Sequence, residues 1–316
     1  MVPVGVPLGY LGLCRLADAD KAERRRLLVD LTNLDHSRWM REGGTMLGSR
    51  RHNLTRIEGA LTAAVAGAEL AGLDALIILG GDGSLRGALA LAEQGIEVVG
   101  IPKTIDRDVG ASEDCIGYAS AIEIGTELTE RVATSARSHG LTFLIEVMGR
   151  RSGALAAAIA RCTGADGLLV PEHSTSVAAI VSQLGELDAE RGSVIILAEG
   201  FWPLGLPVPD ELRDARGRAR IGEASRAIER VLTEHGISVR SARLGHTVRG
   251  GRPNAADRLL AHRLAHLAAD SVGRGEAAGL AVLRGGRPML TSLREAALPR
   301  RVLADSELGE LRDLLW

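Results

Sequence analysis

Two short stretches of this chain gather the residue types that phosphoryl transfer requires. The first is Gly80-Gly81-Asp82-Gly83-Ser84, directly after the apolar run Ala75–Leu79. Glycines let the backbone come close to a phosphate, and a helix starting there aims its N–H groups and positive dipole end at an anion. Asp82 is placed to hold a hydrated magnesium ion. The plainer reading of the same residues is a turn with Ser84 as N-cap. The second stretch is Pro102-Lys103-Thr104-Ile105-Asp106-Arg107-Asp108, after the apolar run Ile96–Ile101. It supplies a cation for the moving charge, an acid for a metal and a base for an attacking hydroxyl. Alone it has a plainer reading as a charged surface turn, and the first stretch alone also suits lipid and NAD kinases. Together, one strand apart, they point to phosphoryl transfer.

Both stretches need elements to hold them. Ala75–Leu79 and Ile96–Ile101 are short, continuously apolar runs, as expected of strands buried on both faces. Pro3–Val6 reads as a weaker strand, and Ile57–Leu70 and Ser84–Glu93 have helical period. The pattern repeats in the second half. Thr142–Val147, Gly167–Val170 and Ser193–Ala198 read as strands; Gly153–Arg161 and Ser174–Ala189 read as helices. Asn254–Asp270 is a long helix whose Pro253 suits a first-turn position, and Leu280–Leu283 is a last strand. Residues 203–220, with three prolines and alternating charges, read as an exposed connection. Strand-helix alternation of this kind predicts an α/β protein with two Rossmann-like parallel sheets. Ligands of such sheets lie beyond the carboxyl ends of the strands, where the motifs stand.

Composition sets limits on partners. Hydrophobic residues make up 46% and aromatic residues 2%, so the core must be built from Leu, Val, Ile and Ala. The formal charge of -2 gives no overall attraction to nucleic acid or an anionic membrane. Cys14, Cys115 and Cys162 are too scattered for a disulfide framework or a zinc site. No apolar run is long enough for a transmembrane helix and no signal segment is visible, so a cytoplasmic protein is expected.

An ordered series of motifs resembles the phosphofructokinase family. Gly80–Ser84 is similar to the family's GGDGS-like turn, and Pro102–Asp108 to its P-x-TIDND-like turn. Glu146-Val147-Met148-Gly149-Arg150 resembles the sugar-phosphate segment EVMGR, followed by Ala198-Glu199-Gly200. Leu244-Gly245-His246, Arg249-Gly250-Gly251-Arg252-Pro253 and the helix opening Asp257-Arg258 continue the match. Upstream, Gly43-Gly44-Thr45-Met46-Leu47-Gly48-Ser49 and Arg51 look like the GGT-x-LGS-x-R segment.

The resemblance implies two domains, 1–117 with about 248–298 binding the donor and 118–247 with about 299–316 binding the sugar phosphate. It implies transfer of a phosphoryl group from ATP to fructose 6-phosphate, with magnesium, in a homo-oligomer. It makes Asp106 the base for the sugar 1-hydroxyl and Asp82 the metal ligand, with Asp108 near the metal. Arg51 and Lys103 would face the moving phosphoryl group. Gly80, Gly81, Gly83 and Ser84 would hold the nucleotide, with Tyr10 near its base. Thr104, Met148, Gly149, Arg150, Glu199, His246 and Arg249 would hold the sugar phosphate, and Arg240 that of a neighbouring subunit. His246, Met148 and Arg243 have bland alternatives: a structural histidine, a packing methionine and a solvated arginine.

The donor is read from Gly83 and Lys103. Relatives using pyrophosphate tend to have an acidic residue at the first position and lysine at the second. A carboxylate at 83 would crowd and repel a nucleotide α-phosphate, whereas an added lysine excludes nothing, so ATP is expected. Three departures from the family pattern bear on activity. The family opens with a strand and a GGDxPGxN-like loop, and no such segment precedes Val2–Gly9, which resembles the second strand; both are expected to be lacking. An inner strand so lost leaves neighbouring backbone unpaired and apolar faces uncovered. Arg107 replaces the usual Asn, and a guanidinium beside Asp106 favours its charged form. Leu141 stands where an Arg often grips the sugar phosphate. A pyrophosphate-dependent kinase, another sugar-phosphate kinase and a non-catalytic sugar-phosphate-binding homologue therefore stay open.

Overall fold

The computed structural model describes residues 2–187, 191–214, 217, 219–276, 278–298 and 303–316. Its strands are β1 (Val4–Gly5), β2 (Val29–Asp30), β3 (Leu76–Gly80), β4 (Val98–Pro102), β5 (Thr142–Val147), β6 (Gly167–Leu169), β7 (Ser193–Ala198), β8 (Val239–Arg243), β9 (Ala278–Arg284) and β10 (Arg287–Thr291). Its helices are α1 (Tyr10–Asp18), α2 (Lys21–Leu27), α3 (His36–Trp39), α4 (Ala60–Leu70), α5 (Asp82–Glu93), α6 (Tyr118–His139), α7 (Ala154–Thr163), α8 (Val177–Glu186), α9 (Ala224–Glu234), α10 (Ala255–Gly273) and α11 (Asp305–Gly309). Two units share the chain: Met1–Thr104, Asp108–Gly117 and Gly251–Arg300 form the first, and Ile105–Arg107, Tyr118–Gly250 and Arg301–Trp316 the second. Ile105–Arg107, inside the expected first domain, thus groups with the second unit.

In the first unit the strand order is β10-β9-β4-β3. β3, β4 and β9 are parallel, and β10 returns antiparallel to β9. Its turn, Gly285-Gly286, has positive φ at both positions, which the twist of a two-residue hairpin favours. Successive side chains serve opposite faces, as the strand period demands. Val98, Leu280 and Val282 pack with Leu85 and Leu91 of α5, while Val99, Ile101 and Ala281 pack with Leu260 and Leu264 of α10. β3 lies at the sheet edge. Its Ile77 and Leu79, in register with Val99 and Ile101, are 41% and 55% exposed. β1 and β2 pair antiparallel in a sheet of their own, so the expected strand at 3–6 is shorter and stands apart from the parallel sheet.

In the second unit the order is β6-β7-β5-β8, all parallel. Ile145, Val147, Ile196 and Ala198 meet Leu155 and Ile159 of α7 on one face. Leu144, Ile195 and Leu197 meet Ile180 of α8 and Ile228 and Leu232 of α9 on the other. The tail joins the β6 edge: Leu168 N–H donates to the Leu314 carbonyl at 2.7 Å, and Trp316 is buried.

Several local expectations change. α5 begins at Asp82, so Ser84 is its third residue and Gly81 its cap. α10 begins at Ala255 with Asn254 capping the Asp257 N–H at 3.0 Å, so Pro253 precedes the cap and stands outside the first turn. The expected helix 174–189 is the shorter α8, capped by Ser176; Ala189 lies outside the described residues. Positions 215, 216 and 218 of the expected connection and 299–302 of the expected second domain lie outside them too. Among the described residues no helix is long and apolar enough to cross a membrane.

Candidate functional site

In the first unit the phosphate-type turn is shaped by crowding. A Cβ on Gly80 would stand 2.4 Å from the Ser84 side chain, and one on Gly81 3.4 Å from that of Thr104. Glycine is therefore needed at 80, and Thr104 lies directly against the turn. Lys103 N–H donates to the Gly80 carbonyl at 2.8 Å, fixing the two strand ends side by side. A Cβ at Gly83, in contrast, would meet nothing within 4 Å. Asp82 is buried at the head of α5, and its Oδ1 accepts from Arg86 Nε at 2.9 Å, one helical turn on. Asp108 is buried, while Lys103 and Arg51 are exposed.

Tyr10 is built into the same structure. Its hydroxyl donates to the Ser84 carbonyl and its ring occupies the space that a side chain at Gly87 would need. Burial pushes its phenol well above the usual tyrosine range. The Gly43 end of the upstream motif also belongs to this unit, where a Cβ would stand 2.0 Å from the Gly251 carbonyl. Asp257, buried at the start of α10, accepts from Gly117 N–H at 2.7 Å and so holds the segment returning from the Asp108 turn.

In the second unit Asp106 is 2% exposed, and Arg150 Nε stands 3.2 Å from its Oδ2. Arg150 has φ 55° and follows Gly149 at φ 151°, so the turn after β5 is sharply bent. Glu199, just beyond β7, fastens it by accepting from Gly149 N–H at 3.2 Å and Arg150 N–H at 2.8 Å. Gly200 is obligatory: a Cβ there would stand 1.9 Å from the Arg150 carbonyl oxygen. Met148, Glu199 and His246 line one cavity of about 160 Å³, together with Glu146, Gly222 and Arg243. Arg240 and Arg249 are exposed and lie outside its lining.

Two side chains at this site, Glu146 and Arg243, carried no assigned role in the sequence. Glu146 is buried and accepts from Ser225 N–H at 3.1 Å, and Arg243 Nε lies 3.3 Å from its Oε1. Arg243 also stands 3.7 Å from Glu223. Parallel pairing of β5 with β8 sets Arg243 directly beside Glu146. The odd spacing from Arg240 was the available signal, since it puts the two arginines on opposite faces of one strand. Arg107, expected beside Asp106, has its guanidinium 3.0 Å from Glu307 and over the Tyr118 ring at 5.4 Å. Its φ is 49°.

For magnesium, the donor set at 82 is a single buried carboxylate. No group of three His, Cys, Asp or Glu side chains among the described residues is arranged to hold an ion. One carboxylate fits the way magnesium is commonly held, mainly by substrate phosphates and water.

A sequence profile for the family described as "Phosphofructokinase" matches residues 1–272. The ATP-dependent 6-phosphofructokinase 3 of Streptomyces coelicolor is 33% identical over 278 residues, which are 86% of this chain and 82% of that one. The pyrophosphate–fructose 6-phosphate 1-phosphotransferase of Amycolatopsis methanolica is 38% identical over 260 residues, 80% of this chain and 76% of that one. Among solved structures, Pichia pastoris phosphofructokinase in the T-state superposes with a TM-score of 0.77 at 27% identity. It covers 93% of this chain, which spans only 32% of the Pichia chain.

Proposed function

The chain belongs to the phosphofructokinase family, and from that premise we propose that it transfers the terminal phosphoryl group of ATP to the 1-hydroxyl of fructose 6-phosphate. The observation that carries this reading is the continuity of the second unit's site. Asp106 is paired with Arg150, and Arg150 belongs to the turn that Glu199 fastens beside the cavity of Met148 and His246. A base and a sugar pocket are thus held by one set of contacts.

In this reading Asp106 accepts the proton of the sugar 1-hydroxyl as that oxygen forms its bond to the γ-phosphorus. The bond from that phosphorus to the β,γ-bridging oxygen breaks, ADP leaves, and Asp106 returns its proton to water. Lys103, Arg51 and Thr104 serve the transferring group, and Asp108 assists near the metal. Gly80, Gly81 and Ser84 receive the donor's phosphates, and Tyr10 braces their turn. Met148, Gly149, Arg150, Glu199, His246 and Arg249 hold the sugar phosphate, with Arg240 acting across a subunit boundary in a cytoplasmic homo-oligomer. Asp82 would hold magnesium, which when bound offsets the donor's phosphate charge. Arg86 then has to share or release that carboxylate.

Open space at Gly83 supports ATP, since nothing there opposes an α-phosphate. A pyrophosphate donor is the second reading; Lys103 and the likeness to the Amycolatopsis enzyme favour it. A coupled assay of fructose 1,6-bisphosphate with each donor separates the two. Turnover with ATP, reduced roughly 10²–10⁴-fold in Asp106→Asn, is expected for loss of a general base. Turnover with pyrophosphate alone reverses the donor, and an unimpaired Asp106→Asn removes the base assignment.

A further inference from the structure

We propose that Glu307, on the C-terminal helix α11, is a positioning residue that clamps the Asp106 turn through Arg107. The inference rests on the assignment of Asp106 as base.

Arg107 adopts φ 49°, in the left-handed region that a long non-glycine side chain enters only when its surroundings impose it. Two contacts impose it here. Arg107 Nη1 lies 3.0 Å from Glu307 Oε1, both side chains being half-buried, and the guanidinium covers the Tyr118 ring. Charge-assisted bonding and cation–π contact add in such a geometry. A third link is apolar, because Ile105 and Leu308 of α11 pack into the same core cluster.

The helix is itself fixed at both sides. Before it, Leu303 N–H donates to Glu172 at 3.2 Å; after it, the Leu314 carbonyl accepts from Leu168 on the β6 edge. The tail therefore runs as a strap over the second unit, and its Glu307 meets the Asp106 turn at the residue next to the base. Glu307 also closes the start of its own helix, its Oε2 accepting from Ala304 N–H at 3.0 Å while its Oε1 faces Arg107, so one carboxylate ties the head of α11 to the strained arginine. Release of the clamp lets Arg107 relax to ordinary φ, and the Asp106 carboxylate moves with the shared peptide.

The test uses the full chain with Glu307→Gln, Arg107→Gln and the double variant. Misplacement of a reacting group by about 1 Å costs about 10²-fold, so each single variant should lower kcat roughly 10- to 100-fold. The KM for fructose 6-phosphate should stay within about twofold, because neither Glu307 nor Arg107 lines the sugar cavity. The double variant should be no slower than the slower single, the signature of residues acting through one contact. Hydrogen exchange across residues 104–109 should quicken in Glu307→Gln at an unchanged melting temperature. Additive losses in the double variant, wild-type kcat in Glu307→Gln, or unchanged exchange across that segment overturns the proposal. If Asp106→Asn retains full turnover, the base assignment fails on its own, and the exchange measurement alone then decides whether the clamp exists.

Discussion

Replacement of Gly83 by aspartate tests the donor assignment without disturbing the fold. Gly83 is the second residue of α5, has helical backbone, and offers open space to a new side chain. Loss of glycine from a helix and gain of a negative charge in its first turn each stabilise by some tenths, about 0.5–1 kcal/mol together. The variant should therefore melt at or slightly above the wild-type temperature. At the site the new carboxylate would face the α-phosphate of ATP. Two unit charges about 4 Å apart repel by about 4 kcal/mol at an effective dielectric of 20. Solvent reaching this open position is taken to halve that, leaving about 2 kcal/mol, or about 30-fold in kcat/KM for ATP. Pyrophosphate has no third phosphate to meet the carboxylate, so any turnover with it should be unaffected. Steady-state kinetics with both donors, on protein of verified stability, measures the ratio directly. A stable Gly83→Asp enzyme whose kcat/KM for ATP stays within twofold of wild type refutes the steric and electrostatic argument.

Three further outcomes follow from contacts in the structure. Gly200→Ala drives a methyl group into the Arg150 carbonyl, an overpacking cost of about 1–3 kcal/mol, and should lower both the melting temperature and fructose 6-phosphate affinity; calorimetry with and without the sugar phosphate checks both. Arg243→Leu leaves Glu146 buried without its guanidinium; since Arg243 is a third exposed, the loss should be about 2 kcal/mol, below the 3–5 of a fully buried pair, and Glu146→Gln in the same chain should recover most of it in urea unfolding. The Tyr10 phenol is raised in the folded protein, so the stability tied to its neutral form is complete below the unfolded value near ~10 and falls as pH rises above it, by about 1.4 kcal/mol per unit. Urea unfolding from pH 9 to 11 should show that slope reduced by one proton in Tyr10→Phe; equal slopes in the two proteins count against it.

Legibility in the sequence followed the size of the buried side chains. The runs that became β3 and β4 are free of polar side chains, and β5 and β7 carry long apolar stretches (Phe143–Ile145, Val194–Ala198), so all four announce themselves. The 22-residue helix α6 does not, because its buried stripe is Ala121, Gly125, Thr129, Ala133 and Ala136. Small residues at helical spacing let α7 approach closely but carry little hydrophobic signal: a Cβ on Gly125 would stand 2.3 Å from Ile159. β8 reads Val-Arg-Ser-Ala-Arg and is a strand only because it lies at an edge with β5 for a partner. β10 went unread, with Leu280–Leu283 taken as the last strand, because its Pro288 argues against any but an edge strand, which is where it lies.

By itself the sequence determined the turns at the strand ends. Gly80–Ser84, Lys103–Asp108, Met148–Arg150 and Glu199-Gly200 are local patterns, since backbone geometry and close approach depend on neighbouring residues. Tertiary structure alone decided which charge meets which. Arg150 stands at Asp106, Arg243 at Glu146, and Arg107 at Glu307, two hundred residues further along the chain. The second pairing is set by strand register and the third by the path of the tail. Long side chains reach several carboxylates with similar energy, and only the packed fold selects one.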